Sequence, residues 1–152
     1  MNYEMSDEMY ERLEESGSDS YMKRVCSEMD EILSPILKRL AVGTANSLAS
    51  SLLSLAARRV EASIRRRKIT NLGALALDDD VRHLVSYGRG KLASGKRGGG
   101  REGILSECEG LARLVDISAV MNAEDVQDCL EDLRVLSKED AKKYAALKVA
   151  DN

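Results

Sequence analysis

Between Tyr21 and Lys68 the apolar residues return mostly every three or four positions: Val25, Met29, Ile32, Ile36 and Leu40, then Leu48, Leu52, Leu55, Val60 and Ile64. That spacing places one broad apolar face on an α-helix and does not match the two-residue alternation of a strand. Phe and Trp are absent, five Tyr are the only aromatics, and Pro35 is the single proline in 152 residues. A core must then be built from Leu, Val, Ile, Ala and Met, which suits helices better than a β-sandwich. The fold class predicted is all-α: a long helix or helix pair over 21–70, then a small helical bundle over 71–152. A chain of this length forms one domain or the end of a larger one, and buries on the order of 70% of its unfolded surface.

Local signals subdivide this frame. Ser34-Pro35 is expected to kink or break the first run, because proline lacks an N–H donor and disfavours helix in the residue before it. Gly43-Thr44 is a weaker soft point. Residues 1–20 are rich in Glu, Asp, Ser and Met and read as a disordered acidic lead. Asn71 to Leu77 is expected to form a turn with apolar anchors, after which Asp78, Asp79 and Asp80 cap a helix from Val81 to Tyr87. Seven glycines and five basic residues over 88–103 predict a flexible loop. A helical stripe returns from Ile104 to Met121. Asn122 with Asp125, and Ser137 with Asp140, repeat a polar-x-x-acid start signal. They place one helix from there to Leu133 and a last one ending near Val149.

Residues that carry chemistry are sparse. Cys26, Cys108 and Cys129 are odd in number, far apart and without CxxC pairing, as expected of reduced thiols in a cytosolic setting. His83 is the only histidine. Thiol catalysis would need a cysteine beside it and a third, orienting group, and a zinc site would need three or four ligands. Successive aspartates point about 100° apart around a helix, so Asp78 to Asp80 read as a cap rather than a Mg²⁺ or Ca²⁺ site. The glycine-rich GKRGGG segment lacks the spacing of a phosphate-binding loop. The reading is no catalytic residue, no metal and no cofactor.

Met1 to Gly17 has no apolar signal-peptide core, and no apolar run nears the ~20 residues that span a bilayer. Membrane association is therefore expected only through partners. The net charge of −3 conceals an acidic lead followed by basic clusters at Arg58 to Lys68 and Arg89 to Arg101. Those clusters leave open a small RNA- or anionic-lipid-binding module using the Gly-rich loop. The aromatic stacking residues that nucleic-acid readers add are missing, so nucleic acid is the weaker reading.

Two separated segments carry more in their order and spacing. Asn71 to Tyr87 holds Leu72, Gly73 and Leu75, an acidic stretch, and then Arg82, Leu84, Val85 and Tyr87. Leu133 to Asp151 holds Leu136, Ser137, Asp140, Leu147, Lys148 and Val149, while Ile32 to Ile36 (ILSPI) stands upstream at a matching distance. In these residues the chain resembles the C-terminal end of the fourth subunit of the conserved oligomeric Golgi (COG) complex, over most of 21–151. The resemblance implies a rod-like helical segment of a vesicle-tethering scaffold that supports retrograde intra-Golgi transport and glycosylation. It implies a place on the cytosolic face of the Golgi membrane, with other tethering-complex subunits as partners and membrane-fusion machinery as a further one. It also implies an ion pair between Arg82 and Asp140. On the residues alone, Asp140 is equally a cap working back to Ser137. The chain departs from the family in loop 88–103, in Leu130 to Leu133 (LEDL) where the family has aromatics, and in Leu136-Ser137-Lys138 where it has an aromatic-basic lead and proline.

Overall fold

The long apolar run divides just after its proline. In the computed structural model, which describes residues 3–15, 21–92 and 101–149, α2 spans Tyr21–Leu37 and α3 spans Val42–Arg65. Pro35 stays inside α2, which ends two residues later, and the Lys38 N–H still reaches the Ser34 carbonyl at 3.2 Å. The helix pair is the second of the two arrangements expected for 21–70. A short helix, α1 (Asp7–Glu15), precedes it. It is followed by α4 (Asn71–Leu92), α5 (Arg101–Glu107), α6 (Glu109–Asn122), α7 (Val126–Cys129) and α8 (Lys138–Ala145). The all-α expectation holds: β-structure among the described residues is a single bridge between Ile69 and Lys148.

Helix α4 is the centre of the molecule and packs against α2, α3, α5 and α6. It begins earlier and ends later than its sequence suggests. Thr70 starts it, its hydroxyl accepting from the Gly73 N–H at 3.1 Å and its carbonyl from the Ala74 N–H at 2.9 Å. The expected turn at 71–77 is thus the first part of the helix, and the three aspartates lie inside it rather than at its cap. Asp78 and Asp79 pair along the surface with Arg82 and His83, one turn on, while Asp80 points inward and is buried. The buried stripe runs Gly73, Ala74, Leu77, Val81, Leu84, Val85, Gly88 and Leu92. Small residues at both ends of that stripe hide its helical period from a reading based on large side chains. Gly88 to Leu92 are therefore helical, contrary to the loop expected over 88–103, as are Arg101 to Gly103; residues 93–100 lie outside the described ones.

The acidic lead also differs from expectation over residues 3–15. Tyr3 is only 3% exposed, and its hydroxyl donates to Asp80 Oδ2 at 2.8 Å. Asp80 also accepts from the Met22 backbone, so one carboxylate ties the lead, α2 and α4 together. Next to it, the Thr70 hydroxyl donates to the Met5 carbonyl at 2.9 Å and accepts from the Met5 N–H at 3.3 Å. This strap lies against bare helix backbone. A Cβ built on Gly73 would stand 1.6 Å from the Tyr3 carbonyl oxygen, so no side chain fits there. Burial of one aromatic ring and two sets of polar ties outweigh the ordering cost that the composition suggested. The rest of the expected disordered lead, residues 1–2 and 16–20, lies outside the described residues.

Helix α6 closes the core with Leu111, Ala112, Leu114, Ile117, Val120 and Met121. The single stripe expected over 104–121 is broken at Cys108, where α5 ends and α6 starts. Asp125 caps α7, accepting from the Gln127 N–H at 2.9 Å, and Ser137 caps α8, accepting from the Asp140 N–H at 3.1 Å. The Ser137 start signal is met as expected, whereas Asn122, expected to start a helix running to Leu133, is the last residue of α6, and Asp125 caps a helix of only four residues. Between them the chain turns around Asp116, which is 3% exposed. Its carboxylate accepts from the backbone N–H groups of Arg134, Val135 and Leu136 at 2.8–3.1 Å.

Replacing Gly73 with Ala is expected to expel the Tyr3 strap and cost about 1–3 kcal/mol in urea unfolding followed by circular dichroism. Gly43→Ala, where nothing lies within 4 Å of the new methyl, is expected to stay within about 0.5 kcal/mol of the parent.

Candidate functional site

The most concentrated polar chemistry lies where α3, α6 and α8 meet. Glu61 stands on the inward side of α3 between Val60 and Ile64, and its side chain is 11% exposed. One of its oxygens, Oε1, accepts from Arg65 Nη2 at 2.6 Å, Arg113 Nε at 2.9 Å and the Tyr144 hydroxyl at 2.5 Å. Arg65 also donates through Nε to the Tyr144 oxygen at 2.8 Å and lies over its ring, 5.9 Å from the centroid. Arg113 reaches onward with Nη2 to Asp140 Oδ2 at 3.5 Å, and Lys143 reaches the other oxygen of Asp140 at 3.3 Å. The network opens on one side into a groove of about 710 Å³ lined by Arg58, Arg65, Arg66, Arg113, Glu107 and Glu109 among others.

Burial pushes the Glu61 carboxyl up, but the hydrogen bonds from Tyr144 and Arg113 and the two guanidinium charges outweigh it and hold the group below the usual carboxylate range. Burial, then the hydrogen bond to Glu61, push the Tyr144 hydroxyl up. Glu61 is thus an ionised acceptor and Tyr144 a protonated donor, both engaged with their neighbours. The arrangement ties three helices together and supplies no poised acid or base.

The sequence-derived pair is not brought together. Arg82 is 71% exposed and bonds Asp78 on its own helix at 2.8 Å, whereas Asp140 takes its inter-helix arginine from α6. The acid of the closing helix does meet an arginine across the bundle, but that arginine is Arg113. Both Arg82 and Arg113 lie one residue from an apolar stripe position. Each also has an acid four residues before it, Asp78 and Glu109, so sequence context does not separate the arginine held on its own helix from the one that crosses the bundle.

The other motif positions separate into three groups. Gly73 and Thr70 receive the lead, and Leu84 is fully buried. Leu72 is half-buried and Leu75 is exposed, so the expected apolar anchors of a turn act instead as outer residues of α4. The half-buried Tyr87 donates to Asp30 at 3.4 Å, joining α4 to α2; burial, and then Asp30, push its hydroxyl up to about 12. Leu136 is buried, Ser137 caps α8, and Leu147 accepts through its carbonyl from the Ile69 N–H at 2.9 Å. Val149 N–H returns a bond of 2.9 Å to the Ile69 carbonyl, which is what the closing Leu-Lys-Val segment does.

The thiols and the histidine stay apart. Burial pushes Cys26 up to about 11 and also raises Cys129, leaving both protonated near neutrality. His83 faces Asp79 at 3.4 Å. Among the described residues, no three His, Cys, Asp or Glu side chains converge as metal ligands.

Two measurements test the Glu61 network. Arg113→Ala is expected to cost about 1–3 kcal/mol by leaving a desolvated carboxylate short of a donor, while Arg82→Ala stays within about 0.5 kcal/mol. Because Glu61 titrates lower folded than unfolded, its stabilisation is present above the unfolded value near ~4.3 and is lost as pH falls through the folded one. Glu61→Gln is expected to flatten the acid limb of a pH series of urea midpoints, with most of its deficit at neutral pH.

No curated protein and no solved structure matched the chain. The family model described as conserved oligomeric Golgi complex subunit 4, C-terminal, matches residues 1–146. That span takes in the strap held at Gly73, the aspartates of α4, the Arg113–Asp140 contact and the capped closing helix. The chain belongs to the family of the C-terminal region of conserved oligomeric Golgi complex subunit 4.

Proposed function

We propose that this chain acts as a protein–protein scaffold segment of the Golgi tethering complex, supporting retrograde intra-Golgi transport and, through recycling of Golgi enzymes, glycosylation. The observation that carries the reading is the family match over residues 1–146. The side-chain chemistry supports it: the buried carboxylates Glu61, Asp80 and Asp116 are each engaged by donors from neighbouring segments, as a rigid docking body requires and a catalytic cleft does not. Other tethering subunits are the expected partners, with membrane-fusion machinery a further one. No described helix is long and apolar enough to cross a membrane. Attachment to the cytosolic face of the Golgi through those partners follows from the reading.

The test is affinity purification of the tagged chain under native conditions, paired with imaging of its distribution. Tethering subunits in near-equal amount and a Golgi pattern are expected. An eluate without them would overturn the scaffold reading. Binding to RNA or anionic vesicles that falls steeply with salt would favour the basic-module alternative instead. Arg65 of the first basic cluster already bonds Glu61 and Tyr144, which weighs against that alternative.

A further inference from the structure

One face of the helix pair is apolar and is left uncovered by the described residues. Met29, Ile32 and Ile36 of α2 and Leu48, Leu52 and Leu55 of α3 line a groove of about 530 Å³, with Ile32 68% and Leu55 52% exposed. Their spacing on each helix is that of a seam awaiting a third helix. Arg59 lines one end, and Lys38 and Arg39 follow Ile36 at the other. Against these three cations stand Glu28 and Glu31 of α2; α3 carries no acid before Glu61, and Asp30 is paired with Lys91.

The chain also displays a helix of complementary character. Helix α1 buries none of its residues and leaves Met9 and Leu13, one turn apart, exposed on one side. Asp7, Glu8, Glu11, Glu14 and Glu15 against Arg12 give it a charge of 1 − 5 = −4. Its nine residues extend about 13 Å, and the stretch from Met29 to Ile36 about 12 Å, so helix and groove match in length. None of the groove's lining comes from α1 of the same chain. That helix is held elsewhere, by the Met5–Thr70 bonds before it and by the buried Met22 after it.

We propose that α1 of one copy of this chain packs into the α2–α3 groove of a second copy. Apolar contact from Met9 and Leu13 supplies the attraction, and the acidic flanks of α1 meet Arg59, Lys38 and Arg39. Reciprocal insertion closes a two-fold dimer, in which each copy gives a helix and receives one. The proposal does not depend on the tethering reading, which a monomeric chain would leave standing.

Sedimentation equilibrium of the purified chain across the micromolar range is expected to show reversible self-association, weakened by salt at the charged flanks. Met9→Glu and Ile32→Glu change exposed residues and are expected to keep the parent's helical circular dichroism. Each should weaken association by at least about tenfold, since each places a charge in the apolar seam. A fluorescent peptide of residues 4–15 should bind the Met9→Glu chain, whose groove is empty, and not the Ile32→Glu chain. A monomer at all concentrations would overturn the proposal. So would association that Ile32→Glu abolishes and Met9→Glu leaves intact, which would mean groove meeting groove.

Discussion

A carboxylate taken out of water must be met by donors or it costs several kcal/mol, and Glu61 imposes that requirement on the whole C-terminal half. Its donors come from three helices, so α3, α6 and α8 have to converge on one point. Helix α8 is eight residues long, too short to persist alone in water. It holds because Tyr144 donates into the centre, Ser137 caps its start, and Asp140 accepts from Arg113. Asp116 does the corresponding work one turn earlier. By collecting three consecutive backbone N–H groups, it fixes the bend that delivers the chain to α8.

A second carboxylate organises the opposite part of the molecule on different terms. Asp80 is raised above the usual range, chiefly by burial, although Tyr3 and the Met22 backbone both donate to it. Among the described residues, no guanidinium or ammonium faces it in the way that Arg65 and Arg113 face Glu61. Burial therefore wins at Asp80 and loses at Glu61. The neutral donors of Asp80 satisfy hydrogen bonding without compensating charge, while the arginines of Glu61 do both.

The helices with large side chains in their stripes were legible in the sequence, as was the cap at Ser137, while the start expected at Asn122 fell three residues early. What escaped was whatever depended on small or polar residues at inward positions. Gly73, Ala74 and Gly88 belong to the stripe of α4 but contribute no large side chain, so the helix looked shorter than it is. Tyr3 sat in a segment whose average composition spoke for disorder, and averaging hides a single buried ring. Arg113 and Asp116 each had a visible signal, a charge between apolar neighbours on the largely buried α6, whereas Glu61 stands between Val60 and Ala62 on a helix that also displays exposed arginines. The partner of Asp140 was not legible, because spacing within a chain says which face a residue occupies and not which distant helix it meets.

Both ends of the described chain are stitched to two adjacent residues. Tyr3 accepts from the Thr70 N–H at 3.4 Å, and Leu147 and Val149 exchange bonds of 2.9 Å with Ile69. Traction applied between residues 3 and 149 would thus be borne across the short connection from α3 to α4, in series with a few main-chain bonds. Tyr3, through Asp80, and Tyr144, through Glu61, would pass the remainder to α4 and α3. For a body built into a larger assembly, the junction at 69–70 is the mechanical fuse: the lead and the closing segment would peel away there while the helical core remained intact.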